Sequence, residues 1–291
     1  MKKRAFIYVI IAGVLWGTSG IFFNLLKPFG FSPLQMTAMR GVVSGIVMFL
    51  YALIYNRAVF KISLKEFITF ACSGVSVFGT ASCYYAAIDA SSVSTAVILM
   101  YTAPVFVMAY SVAFLGEKLN LPKIVAVILM IIGCALVSGI IGGMKMSILG
   151  VALGLASGLA YSAYNIFTKI EMMHKSSSLS ATLYCFMVMG AVSLMFSNPS
   201  QIVEITSKNP QGILPLIIGI GVCTCVLPYM FYTLALKDIP AGTASALSII
   251  EPMSATIFSI LIFHDKIDVF GGCGIILILV AVFILNKSVK E

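Results

Sequence analysis

Residues 94–119 read STAVILMYTAPVFVMAYSVAFLGEKL, and residues 242–267 read GTASALSIIEPMSATIFSILIFHDKI. Ser94-Thr95-Ala96 returns as Gly242-Thr243-Ala244, Pro104 as Pro252, and Leu115-Gly116-Glu117-Lys118-Leu119 as Phe263-His264-Asp265-Lys266-Ile267, all shifted by 148 positions. One shift maintained across such a stretch marks an internal duplication. Each copy is an apolar run with one proline near its middle and an acid-Lys pair at its end. The repeated unit is therefore a helix long enough to cross a bilayer, which takes roughly 20 apolar residues.

Working outward, the chain offers little else. Of its 291 residues 60% are hydrophobic and 10% charged, against about a quarter charged in a soluble domain. Breaks at charged or Pro/Gly/Ser clusters leave ten spans: 5–26, 33–55, 67–88, 92–115, 123–141, 147–168, 179–196, 212–236, 241–263 and 269–286. The fold class expected is all-α integral membrane, with two five-helix units at 5–141 and 147–287. Five is an odd number, so the second unit enters the bilayer from the opposite side, and the repeats are inverted.

The net charge of +8 would suggest nucleic acid in a soluble protein. Here the basic residues sit in short loops, where they orient helices. With both termini in the cytoplasm, that side holds Lys2, Lys3, Arg4, Arg57, Lys61, Lys65, Lys118, Lys123, Lys169, Lys175, Lys237, Lys287 and Lys290. The other side holds only Lys27, Lys145, Lys208 and Lys266. Adding or removing a span would blur this asymmetry. The expectation is a multi-pass protein of the plasma (inner) membrane with both termini cytoplasmic, no nucleic-acid partner, and an N-terminal apolar run too long for a signal peptide. The seven cysteines lack the spacing of a zinc or redox motif and read as small buried hydrophobes.

Two ionisable side chains fall well inside spans, Arg40 and Glu251, where a charge costs roughly 2.5 to 3.5 kcal/mol on insertion scales. Glu251 reads as a cavity acid that carries a proton or binds an amine; the structural alternative is that it pairs with Arg40 or with backbone carbonyls and locks helices together. Arg40 either holds a substrate carboxylate or snorkels to the interface. Pro104 and Pro252 each remove a backbone hydrogen bond and bend their helices, which makes these kinks candidate gates. On span 9, Ala244, Leu247, Ser248, Glu251, Ala255 and Phe258 share a helical face, as do Ser94, Tyr101 and Met108 on span 4. Both faces are expected to meet the cavity, together with Trp16, Tyr161, Tyr164 and Asn165; Tyr85 and Tyr232 are weaker candidates. Gly150, Gly154 and Gly158, and likewise Gly41 and Gly45, read as close-packing positions.

The two five-helix units, the stretch Gly13-Val14-Leu15-Trp16-Gly17 and the span-4 and span-9 pattern ending in acid-Lys resemble the EamA family of the drug/metabolite transporter superfamily. The resemblance implies a ten-helix bundle that moves amino acids, related metabolites or drugs, often outward, with the lipid bilayer and a small-molecule substrate as its partners. One departure is His264, which stands where the first repeat has Gly116.

Clustered His, Asp, Glu or Cys at a water-accessible edge, as membrane enzymes use, are not found; catalytic residues, metal ligands and cofactors are therefore not expected. The functional reading is a secondary transporter, an exporter of amino acids, amines or related compounds working by alternating access, with protons as the coupling ion and small-residue faces that would permit a homodimer. The alternatives are a passive facilitator, an integral-membrane enzyme and a scaffold.

Overall fold

A computed structural model describes residues 2–138, 147–264 and 268–288. Lys145, the Asp265-Lys266-Ile267 segment and Lys290 lie outside the described residues. Ten apolar helices follow one another: α1 Lys3–Phe29, α2 Pro33–Tyr55, α3 Leu64–Ala90, α4 Val93–Phe114, α5 Leu121–Val137, α6 Ile148–Met173, α7 Ser178–Phe196, α8 Pro210–Ala235, α9 Ala241–Phe263 and α10 Val269–Lys287. Among the described residues, nine are long and apolar enough to cross a membrane, and α5 is a shorter apolar helix. Ten passes bring the start of α1 and the end of α10 to one face of the bundle, called here the terminal face.

Their starts are set by local chemistry. Ser32 caps α2, accepting from the Gln35 N–H at 3.2 Å while the Gln35 side chain accepts from the Ser32 N–H at 2.8 Å. Ser63 and Glu66 form the same reciprocal cap on α3, and Ser92, Asn120, Ser147, Ser177 and Asn209 cap α4 to α8 in turn. Each cap satisfies amides that a helix end leaves unpaired.

The spans read from sequence match these helices closely, with three differences. An additional helix, Pro199–Lys208, precedes α8 on the face opposite the termini. Its Ile202 and Ile205 pack on a satellite apolar cluster, and the Lys208 ammonium, 2.9 Å from Glu204, holds that exposed carboxyl below its ordinary range. Second, α6 runs on to Met173, so Lys169 is a helix residue rather than a loop residue. Its ammonium donates to the Leu236 and Ile239 carbonyls, both at 2.8 Å. Third, Cys273 is exposed and Cys72, Cys83 and Cys223 are half-buried, so only Cys134, Cys185 and Cys225 are buried as expected.

Packing repeats across the two halves. α3 lies against α6 as α8 lies against α1; α4 against α6 as α9 against α1; and α3 against α7 as α8 against α2. The pairs α2 with α7, α4 with α9 and α5 with α10 map onto themselves. The expected glycines make these approaches. A methyl built on Gly41 would stand 3.0 Å from the Gly190 Cα, on Gly154 2.7 Å from Leu99, and on Gly158 2.8 Å from the Leu99 carbonyl.

The acid-Lys motif acquires a role at the terminal face. Glu117, just past α4, accepts a 2.7 Å hydrogen bond from the Ala241 N–H, the first amide of α9. An acid at a helix start satisfies an orphan donor and complements the positive end of the helix dipole. The preceding Gly116 has φ +67°, and His264, its counterpart, has φ +57°. The histidine therefore takes up the left-handed turn that glycine adopts freely.

Gly154→Val will lower the melting temperature of the purified protein by several degrees, because its first added carbon already collides with Leu99 and overpacking costs about 1–3 kcal/mol. Gly20→Ala, with nothing within 4 Å of the added carbon, will leave it unchanged.

Candidate functional site

The long helices are interrupted around a single region. α1 breaks at Thr18, between Lys2–Gly17 and Ser19–Leu26. α4 divides into Val93–Met100 and Ala103–Phe114, and α9 into Ala241–Leu247 and Ile250–Phe263. Pro104 is the second residue of the resumed helix in α4 and Pro252 the third in α9, so each proline stands just past an interruption. In α8 a π-helical turn spans Val222–Val226.

The breaks in α1 and α4, with Glu251 and Pro252 just past the break in α9, border a cavity of about 440 Å³. Its walls carry the aromatic side chains of Trp16, Phe23, Tyr84, Tyr85, Tyr101, Tyr161 and Tyr229, the hydroxyls of Ser19, Thr80, Ser138 and Thr256, and the charged groups of Arg40 and Glu251. Ile88, Val93, Val137 and Ser138 also line it. They sit at the ends of α3, α4 and α5 remote from the termini, so the cavity runs from mid-bundle toward the face opposite the termini.

The structure brings five of the seven candidate side chains together here: Trp16, Arg40, Tyr101, Tyr161 and Glu251. The Tyr101 hydroxyl and the Arg40 guanidinium are the polar groups that bear on the Glu251 carboxyl. Arg40 and Glu251 are not a locked pair, since among the described residues the one ion pair within 4 Å is Lys208–Glu204. Arg40 does not snorkel to the interface; it lies among Tyr85, Tyr229 and Glu251. The Arg40 Nε and the Trp16 Nε1 are buried donors without a protein acceptor, so the wall offers hydrogen bonds that protein atoms do not use.

Asn165 and Ser248 are placed differently from the expectation. Asn165 is fully buried beneath the wall, where its amide donates to the Tyr161 carbonyl at 2.6 Å and its oxygen accepts from the Tyr232 hydroxyl. It ties α6 to α8 and is a positioning residue. Ser248 is also fully buried; its hydroxyl donates to the Ser245 carbonyl at 2.6 Å and approaches the Tyr161 hydroxyl. The break at Ser248–Ile249 rotates the face read along span 9, so Glu251 and Ala255 reach the cavity while Ala244 and Leu247 pack inside the bundle. Pro104 is buried in packing, whereas Pro252 lines the wall. On span 4, Ser94 donates to the Ser138 carbonyl, and Met108 packs against Gly242.

Sequence reasoning missed Phe23, Tyr84 and Tyr229, and it ranked Tyr85 too low. It also missed Glu171, buried in α6 with a 2.8 Å hydrogen bond from Ser73. Among the described residues no three His, Cys, Asp or Glu side chains come together as a metal site requires.

The model of the EamA-like transporter family matches residues 3–139 and again residues 148–287. The chain belongs to that family. It is 24% identical to an uncharacterized transporter of Clostridium kluyveri over 99% of this chain and 95% of that one. It is 27% identical to an uncharacterized transporter of Archaeoglobus fulgidus over 72% and 74%, and 22% identical to the uncharacterized inner membrane transporter YicL of Salmonella typhimurium over 99% and 97%. A protein of known crystal structure superposes with a TM-score of 0.82, covering 100% of this chain and 99% of its own, at 16% identity. That likeness establishes the fold. The chain is a multi-pass membrane transporter.

Tyr232→Phe removes the partner of a buried amide oxygen. It will destabilise the protein by about 1–3 kcal/mol, the cost of an unsatisfied buried polar group, read as a fall in melting temperature in detergent.

Proposed function

We propose that this EamA-like protein is a secondary transporter that exports small zwitterionic or cationic metabolites, amino acids and amines foremost, by alternating access between two inverted five-helix repeats. The observation that carries this reading is the pairing of an acid and a guanidinium on the walls of one aromatic cavity, held apart rather than in contact. Arg40 suits a substrate carboxylate, Glu251 suits its ammonium group or a coupled proton, and the aromatic faces suit the cationic end. Aromatic and aliphatic walls favour an apolar side chain between those two ends.

The lysine and arginine asymmetry supports a plasma-membrane orientation with both termini cytoplasmic. In that orientation the cavity opens to the outside. The breaks in α4 and α9 are where those helices would bend as the mouth closes. A proton carried on Glu251 would supply the driving force in exchange for substrate, and the sequence has no Gly-rich phosphate-binding motif that would suggest ATP. One cationic side chain in the cavity is few for a phosphorylated substrate, which argues for metabolites without phosphate.

Comparative metabolomics of cells and medium during overexpression tests the reading without a prior choice of substrate. One class of zwitterion or amine will accumulate in the medium with the wild type and stay at control levels with Glu251→Gln. No difference in any compound between wild type and empty vector overturns export. Export unchanged in Glu251→Gln and insensitive to the pH gradient overturns coupling and leaves a passive facilitator.

Trp16 is the only tryptophan in the chain, and it packs edge-on to Tyr229 with centroids 5.2 Å apart. The exported compound will shift or quench its emission in purified protein by at least several per cent at saturation, and Arg40→Met will weaken that response about tenfold or more for a carboxylate-bearing ligand.

A further inference from the structure

Below the central cavity, toward the terminal face, lies a second polar region. It is a seam too narrow for water, walled by Tyr164, Thr168, Glu171, Thr182, Cys185 and Thr233, and it shares Tyr229 with the cavity above. Glu171 is 3% exposed and accepts one hydrogen bond, from Ser73 of α3. The titratable groups around it are Tyr164 on its own helix, Cys185 from α7 and Tyr229 from α8. None of these is cationic, and the nearby Lys169 is committed to the Leu236 and Ile239 carbonyls. Packing without an evident need for an acid could use leucine here; burying a carboxyl with hydroxyl partners alone is costly.

The internal duplication gives the location a meaning. Under the 148-residue shift Glu171 is the counterpart of Phe23, Thr168 of Gly20 and Tyr164 of Trp16. Those three counterparts line the open cavity. The seam is thus the closed equivalent of the open mouth, and the residues it seals are those that would line an opening on the terminal face. The Thr168 Oγ1 and Tyr164 hydroxyls have no acceptor or donor among the described residues, as expected of groups that meet water in another conformation.

We propose that Glu171 is a second proton-binding carboxyl on the transport route, serving the cytoplasmic face as Glu251 serves the opposite one. Closing the seam transfers a proton from cytoplasmic water to a Glu171 carboxyl oxygen; opening hydrates the acid and returns that proton to water. The inference rests on the alternating-access reading above and adds a second acid to it.

The test places single cysteines in a cysteine-free background, Thr233→Cys in the seam and Ala255→Cys in the cavity, and follows labelling by a membrane-impermeant maleimide in right-side-out and inverted vesicles. Ala255→Cys will react from outside and Thr233→Cys from the cytoplasmic side. Between pH 6 and 9 the thiol's own response cancels when the Thr233→Cys rate is divided by that of the same protein carrying Glu171→Gln. That ratio will rise with pH, by up to tenfold per unit, the limit for one proton. A flat or falling ratio overturns the proposal. So does a Thr233→Cys that reacts from neither side while Ala255→Cys reacts from outside, a result that leaves the cavity reading standing. If neither cysteine reacts from any side, the transport route itself is wrong. Glu171→Asp keeps the acid and will keep the slope, which separates proton binding from a loss of packing.

Discussion

A backbone amide or carbonyl inside the hydrocarbon layer has no water to turn to, and leaving it unpaired costs several kcal/mol. That constraint makes every pass a helix and makes each interruption a local problem to be solved. The solutions are visible: the Thr18 hydroxyl donates to the Leu15 carbonyl at the break in α1, Thr102 to Leu99 in α4, Ser248 to Ser245 in α9, and Ser44 of α2 reaches across to the Gly221 carbonyl beside the π-helical turn of α8. The breaks in α1 and α4 border the cavity, whereas the turn at Ser248–Ile249 is buried in protein; irregular backbone is tolerated in either place because it does not face lipid. Small and hydroxylated residues at the breaks do two jobs, closing the backbone account and letting helices turn.

The duplication explains why the cavity has one chemistry above and another below. Glu251 has Ala103 as its counterpart, Glu171 has Phe23 and Tyr229 has Ala81. The two halves keep the same helix contacts, the same proline-marked breaks and the same left-handed turn at Gly116 and His264, while the polar groups have been distributed unequally. The architecture is shared while the charge is not, so the two ends of the bundle present different side chains to the solutions they face.

Much of this was legible in the sequence, for physical reasons that differ by feature. Hydropathy and the lysine and arginine asymmetry located ten spans, since both are averages over many residues. Arg40, Glu251, Trp16, Tyr101 and Tyr161 could be named because a charge or a polar-tipped ring in an apolar run is conspicuous. What failed was anything that depended on direction. Ser248 and Ala244 share a regular helical face with Glu251 only while the helix is unbroken, and the turn at Ser248–Ile249 changes which residues point inward. Asn165 was visible as a polar residue, but its commitment to Tyr232 is a contact across 67 positions. Glu171 escaped notice because it precedes Met172, Met173, His174 and Lys175, and a charge near the end of an apolar run looks like the start of a loop.

The separation of Arg40 and Glu251 bears most directly on function. In a low-dielectric site two opposite charges attract strongly, and flexible side chains free to meet would do so, leaving nothing for a substrate. Here the guanidinium lies near Tyr85 and Tyr229, and the carboxyl lies near the Tyr101 hydroxyl, on the helix that resumes after the α9 break. Their helices, α2 and α9, are fixed by glycine-mediated contacts to α7 and α1: a methyl on Gly41 would press on Gly190, and one on Gly17 would stand 2.7 Å from Ser254. The two groups are therefore held near one another on separate helices, short of an ion pair. In the function proposed above, a zwitterion would bridge them while the protein side gives up little conformational freedom, which is the advantage of a preorganised site. Close glycine packing at the cavity wall thus helps set where the two charged groups stand.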